Sequence, residues 1–119
     1  MIFWIASYPK SGNTWLRALI SAYYYSNDGI FNDNLLKQID QFPTTRYFKS
    51  FEYDKKNAGS TCKFWIQAQE KINTDKKLRF FKTHNAFGKL NNYDFTNSEN
   101  SIGCLYVVRD PRNVITSIK

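Results

Sequence analysis

Ile2-Phe3-Trp4-Ile5-Ala6-Ser7-Tyr8-Pro9-Lys10-Ser11-Gly12-Asn13-Thr14-Trp15 is the stretch that decides the fold. Ile2 to Ala6 is a short, continuously apolar run rich in β-favouring side chains and ended by Tyr8-Pro9. That pattern suits a strand buried on both faces in the middle of a parallel sheet. From Thr14 the apolar residues Trp15, Leu16, Leu19, Ile20 and Tyr23 recur at helical spacing. A polar loop of about seven residues therefore joins a strand to a helix. Strand, polar loop and helix in that order bring exposed amides to a helix N-terminus, a layout that holds phosphate.

Outward from this unit the chain keeps alternating. Asn34 to Gln41, before Pro43, reads as a short helix, and Thr61 to Asn73 as a longer amphipathic one with Phe64, Trp65, Ala68 and Ile72 on one side. Leu78 to Thr83 and Ile102 to Val108 are apolar, β-branched or aromatic runs that end in polar residues, and both read as strands. Asp110 is placed as an N-cap and Pro111 as the first residue of a last helix ending at Lys119. Around Asp54 to Ser60 and Asn91 to Ser101 the Asn- and Lys-rich sequence reads as loop. Strands alternating with helices predict an α/β fold with a parallel sheet.

Composition bounds what such a fold can be. The chain has 119 residues, enough for one domain and too few for two, and its 42% apolar and 18% aromatic content excludes an intrinsically disordered basic tail. Seventeen Lys and Arg against ten Asp and Glu leave a net charge of +7, which favours an anionic partner. Nucleic acid, acidic membrane and a phosphorylated small molecule all fit that charge. The N-terminal apolar run falls far short of the roughly 20 residues needed to cross a bilayer, so neither signal peptide nor membrane span is expected. Cys62 and Cys104 form no C-x-x-C pair, and the single His84 completes no zinc set. We read both cysteines as reduced thiols of a cytoplasmic protein and expect no metal.

Three polar sets stand at the C-terminal ends of the three strands, where open α/β sheets bind ligands. In the first, Tyr8 to Trp15, Gly12 permits close backbone approach, Ser11, Asn13 and Thr14 add hydrogen-bonding groups, and Lys10 adds a positive charge. The ATPase pattern G-x-x-x-x-G-K-[ST] is absent, because Lys10 precedes Ser11-Gly12. A plain turn with Ser11 or Thr14 as cap and Lys10 in solvent accounts for the loop equally well. In the second set, Lys82-Thr83-His84, alternation puts Lys82 and His84 on one side and Thr83 on the other. A neutral imidazole there can accept a hydroxyl proton, a role worth roughly 10² to 10⁴ in rate, and a structural histidine is the competing reading. In the third, Val107 to Ser117, Arg109, Asn113 and Ser117 fall at i, i+4 and i+8, with Val114, Ile115 and Ile118 turned to the sheet. A guanidinium with a hydroxyl two turns along can grip a phosphate, unless Arg109 simply pairs with Asp110.

Y-P-K-S-G-N-T-W, K-T-H and Y-V-V-R-D-P-R-N-V-I-T-S, in this order and at these strand ends, resemble the motifs of the cytosolic-type sulfotransferases, over essentially the whole chain. The resemblance implies an α/β fold of P-loop type, a parallel sheet flanked by helices. It also implies transfer of the sulfonate group from 3′-phosphoadenosine 5′-phosphosulfate to an acceptor hydroxyl or amine, without a metal. By it, Lys10, Ser11, Gly12, Asn13, Thr14 and Trp15 hold the 5′-phosphosulfate, Lys10 meeting the charge on the bridging oxygen. His84 is the general base, Lys82 stabilises the sulfonate in flight, and Arg109 with Ser117 binds the 3′-phosphate. Asn13 stands where many members carry Thr. Nothing here matches the family's Gly-rich basic segment R-K-G-x-x-G. The expectation is therefore that residues 1–119 form the N-terminal part of a single sulfotransferase domain, ending after the third recognisable strand and the start of its helix. The apolar face of Thr61 to Asn73 and strands left without flanking elements are then expected to lie open, with marginal stability and self-association.

A basic nucleic-acid or polyanion-binding module is the alternative of a different class. Against it, Lys and Arg are scattered and no nucleic-acid signature appears, so no specific nucleic acid is expected. A P-loop protein that binds nucleotide phosphates without sulfotransfer is the remaining option. The acceptor, whether small molecule, carbohydrate or lipid, has no signature, and Tyr23 to Tyr25, Phe80 and Phe87 read as core.

Overall fold

The computed structural model describes residues 1–118; Lys119, where the last predicted helix ends, lies outside the described residues. In chain order the elements are β1 (Ile2–Ser7), α1 (Asn13–Tyr25), β2 (Asp40–Gln41), α2 (Trp65–Ile72), β3 (Arg79–Thr83), β4 (Lys89–Leu90), β5 (Tyr93–Asp94), β6 (Ser101–Val107) and α3 (Pro111–Ile118). Four strands form one parallel sheet in the order β2-β3-β1-β6. β1 is an inner strand, in register with β3 from Ile2↔Arg79 to Ala6↔Thr83 and with β6 at Ser7↔Val107. This is the α/β architecture of P-loop type, a parallel sheet flanked by helices.

The core grows from β1. Ile2, Trp4 and Ile5 are fully buried, as a strand covered on both faces requires. The Trp4 ring packs on Phe95 at 5.0 Å, Phe42 at 5.8 Å and Phe81 at 6.0 Å between centroids, and its Nε1 donates to Ser101 Oγ at 2.6 Å. Burial of an indole is tolerable when its N–H has such a partner. α2 closes this side with Trp65, Ala68 and Gln69, and Gln69 Nε2 donates to the Phe95 carbonyl at 2.6 Å. The predicted opening of the Thr61 to Asn73 face is thus corrected: it is covered, and its first half winds as a 3₁₀ helix, Ala58–Phe64, ahead of α2.

Other expectations also need correction. Asn34 to Gln41 holds only a 3₁₀ turn, Leu35–Gln38, after which Asp40-Gln41 pairs with β3 as β2, and Phe42 N–H extends the pairing to the Lys82 carbonyl at 2.9 Å. The sheet therefore has a fourth strand, and the Asn91 to Ser101 loop shares a hairpin, β4-β5, that turns on Asn91 and Asn92 at φ 50 and 66. Asn tolerates that left-handed pair better than most residues. α1 buries Asn13, Ser21 and Ala22, while Trp15, Leu19 and Tyr23 face solvent, Tyr23 at 87% exposure. Its fully buried side chains are small, while Leu16 and Ile20 are half-buried and the Tyr24 and Tyr25 rings pack on Phe80. Tyr23, Tyr24 and Phe87 are likewise exposed where core was expected, and of Val114, Ile115 and Ile118 only Val114 is buried. β6 ends the sheet, with Ile102, Leu105 and Tyr106 exposed and no strand on its outer edge among the described residues. Among the described residues no helix is long and apolar enough to cross a membrane, and Cys62 and Cys104 are both free thiols.

Candidate active site

The loop between β1 and α1 is shaped by two left-handed residues, Lys10 at φ 63 and Gly12 at φ 100. Gly12 is the N-cap of α1 and no side chain caps the helix, so the capping reading of Ser11 or Thr14 does not hold. The first intrahelical bond runs from Leu16 N–H to the Gly12 carbonyl at 3.1 Å. The amides of the first turn are left for an outside acceptor, with the positive end of the helix dipole behind them. Arg109, at the end of β6, steadies the loop by donating from Nη1 to the Lys10 carbonyl at 3.0 Å. It does not pair with Asp110, whose carboxylate binds Arg112 at 2.7 Å and accepts the Arg112 amide at 2.9 Å.

His84 follows β3 directly. Its Nδ1 lies 2.7 Å from the Ser7 carbonyl oxygen. A carbonyl can only accept, so in the neutral ring Nδ1 carries the hydrogen and Nε2 keeps its lone pair. Ser7 is itself held by Asn13, whose Nδ2 donates to the Ile5 carbonyl at 3.0 Å and to Ser7 Oγ at 3.1 Å. Asn13 thus turns its amide nitrogen to β1 instead of outward, and its buried Oδ1 meets no hydrogen-bond partner among the described residues. Lys82 shares the His84 side of the strand, as alternation predicts, while Thr83 is fully buried. Burial, and after it the charge of Arg17, lowers the Lys82 ammonium below its ordinary value.

A cleft of about 740 Å³ gathers Lys10, Gly12, Asn13, Thr14, Lys82, His84 and Ser117, with Trp15, Phe31 and Leu36 as apolar wall. Eight of the ten expected site residues, Trp15 included, therefore meet in one place. Ser11 and Arg109 do not: they line a separate apolar groove of about 420 Å³ with Tyr106, Val114 and Ile118. Arg109 and Ser117, read as one phosphate grip, open onto different cavities. Two residues went unread in the sequence. Arg17 pins the outer wall by donating from Nη2 to the Leu36 carbonyl at 3.0 Å and the Ile39 carbonyl at 2.7 Å. A cation inside an otherwise apolar helical run is its only signal. Ser7 had none, because its role rests on a backbone carbonyl.

A parallel sheet with an uncapped helix N-terminus after its inner strand, and a cation and an imidazole at the neighbouring strand end, defines an α/β protein of P-loop type. A family model described as sulfotransferase domain matches residues 2–118, and the chain belongs to that family. No curated protein and no solved structure matches the chain.

Proposed function

We propose that the chain transfers a sulfonate group from 3′-phosphoadenosine 5′-phosphosulfate to the hydroxyl or amine of a small-molecule, carbohydrate or lipid acceptor. The observation that carries this reading is the meeting of Lys10, Lys82 and His84 in one cleft at the uncapped start of α1. A tetrahedral anion suits that place: amides at the start of α1, a left-handed glycine and two cations line it.

The donor, when bound, supplies a sulfuryl group on a phosphate leaving group. Gly12 and the amides of Asn13, Thr14 and Trp15 hold its 5′ end, and Ser11 supports the loop from the groove behind. His84 Nε2 takes the acceptor proton as the acceptor oxygen bonds to sulfur. Lys10 meets the charge left on the bridging oxygen, which keeps the electron pair of the broken S–O bond. Lys82 faces the sulfonate between the two oxygens. Such transfers need positioning and charge stabilisation more than covalent help. Ser117 meets the 3′-phosphate from α3, while Arg109, on the groove behind, supports the loop through its bond to the Lys10 carbonyl. Both free thiols support a cytoplasmic setting.

The test is a thermal melt of the 119-residue chain with adenosine 3′,5′-bisphosphate, 5′-AMP or ATP, beside transfer of radiolabelled sulfonate to acceptor hydroxyls. A melt raised by the bisphosphate alone, retained in His84→Ala while transfer is abolished, is the expected result. A folded chain indifferent to the bisphosphate overturns the reading in favour of a polyanion-binding module, whose affinity would fall steeply with salt.

A further inference from the structure

A second cleft, of about 550 Å³, opens at the end of β3 remote from His84, between the C-terminal ends of α1 and α2. Arg46, Lys71, Lys77 and Arg79 line it, and Asp40 is the one carboxylate among its lining residues. Two of these cations are already matched. Arg46 pairs with Asp40, and Arg79 is clamped by Asp75 through bonds of 2.6 and 2.5 Å and by the Ile72 carbonyl at 3.1 Å. Lys71 and Lys77 form no ion pair among the described residues. Lys71 is held in place, its Nζ donating to Ser50 Oγ at 2.8 Å and resting 4.1 Å from the Phe51 ring centre. The remaining wall is aromatic, with Tyr25, Tyr47 and Phe80.

We infer that this cleft is a second anion site, which takes a sulfate or phosphate ester carried on an apolar, ring-bearing body. With the two guanidinium groups paired, Lys71 and Lys77, neither in an ion pair, leave the cleft a net positive charge that attracts an oxyanion, and the tyrosine and phenylalanine rings give the rest of the ligand a surface to bury. A bare inorganic ion would use the charge and leave the rings uncovered. The cleft shares no lining residue with the one that holds His84, so the inference stands or falls apart from the donor reading.

The experiment is calorimetric titration of the 119-residue chain with phenyl phosphate, phenyl sulfate and the two inorganic ions, with amide resonances followed in parallel. Saturable binding of a phenyl ester is expected to move the resonances of residues 77–81 and 46–47. Bisphosphate at saturation should not displace it, and Lys71→Gln/Lys77→Gln should weaken it at least about tenfold. Lys77→Gln alone, on an exposed side chain, gives an intermediate loss if the double variant fails to fold. The arms with phosphate and sulfate esters tell which ester is preferred. Unchanged affinity in the folded variants, displacement by the bisphosphate, or inorganic ions binding as tightly as the phenyl esters would each overturn the inference.

Discussion

Replacing Gly12 by Ala isolates the backbone geometry on which the candidate site depends. At φ 100 the residue occupies a region that side chains rarely adopt, yet an added Cβ would meet only Val107 Cγ1 at an ordinary 3.9 Å. The cost is therefore conformational, not steric, and a left-handed L-residue costs about 1–2 kcal/mol. For a domain of this size each ~1 kcal/mol lowers Tm by about 3–6 °C, so Gly12→Ala should melt about 3–12 °C below the parent. Gly29, at φ 74 with nothing within 4 Å of an added Cβ, is the matched control outside the loop. Gly29→Ala should lose a comparable part of the stability and none of the affinity for adenosine 3′,5′-bisphosphate. Gly12→Ala should lose about tenfold or more in that affinity, because relaxing the loop turns the amides of α1 away. Circular-dichroism melts and calorimetric titration of both variants decide the matter. A parental Tm in Gly12→Ala refutes the strain argument, and equal loss of affinity in both variants refutes the link between loop geometry and binding.

Asn13→Ala removes the donors to the Ile5 carbonyl and Ser7 Oγ and should lower stability by about 1–3 kcal/mol in urea denaturation. If transfer is observed, its rate should fall in that variant more than its donor KM rises, since the residue acts through Ser7 on His84. Gly103→Ala places a Cβ 2.7 Å from Phe3 Cε2, and displacing that ring should cost about 1–3 kcal/mol, recovered in part by Phe3→Leu; an unshifted melt would contradict the packing. The hydrogen bonds from Arg79, and then the Lys77 amide, hold the Asp75 carboxyl far below its ordinary 3.8. A depressed folded value stabilises the native state above the unfolded one and is lost as pH falls through it. The Tm gap between the parent and Asp75→Asn should thus be full at neutral pH and shrink below about pH 4; a gap constant with pH would argue against the pairing.

What the sequence disclosed follows from how local each signal is. The runs Ile2 to Ala6, Leu78 to Thr83 and Ile102 to Val108 are strands within a residue or two of their expected ends, because a buried parallel strand is written in contiguous apolar residues. The alternation of Lys82 and His84 is equally local. β2 is only Asp40-Gln41, too short for any periodicity, and exists because β3 offers its edge. On α1 the spacing of large apolar residues disclosed the helix, but of the five only Leu16 and Ile20 are half-buried, and Ser21 and Ala22 make the closest approach to the protein. Helical spacing aligned Arg109 with Ser117, but Arg109 precedes α3 and turns back to Lys10. The Ser7 to His84 contact, spanning most of the chain, has no signature short of the folded sheet.

That contact also says what kind of precision the cleft has. Ala6 and Thr83 are the last paired residues of β1 and β3, so Ser7 and His84 are the next rung, where a ring nitrogen takes the place of a backbone amide. The imidazole is thus indexed to the strands as a further step of their alignment, and it inherits their stiffness. Its rotational freedom is surrendered during folding, before any ligand arrives, which is the preorganisation that proton transfer rewards. The same indexing makes the site intolerant of slippage: a one-residue shift of β1 against β3 would exchange the faces of the strand and put a different carbonyl opposite the ring.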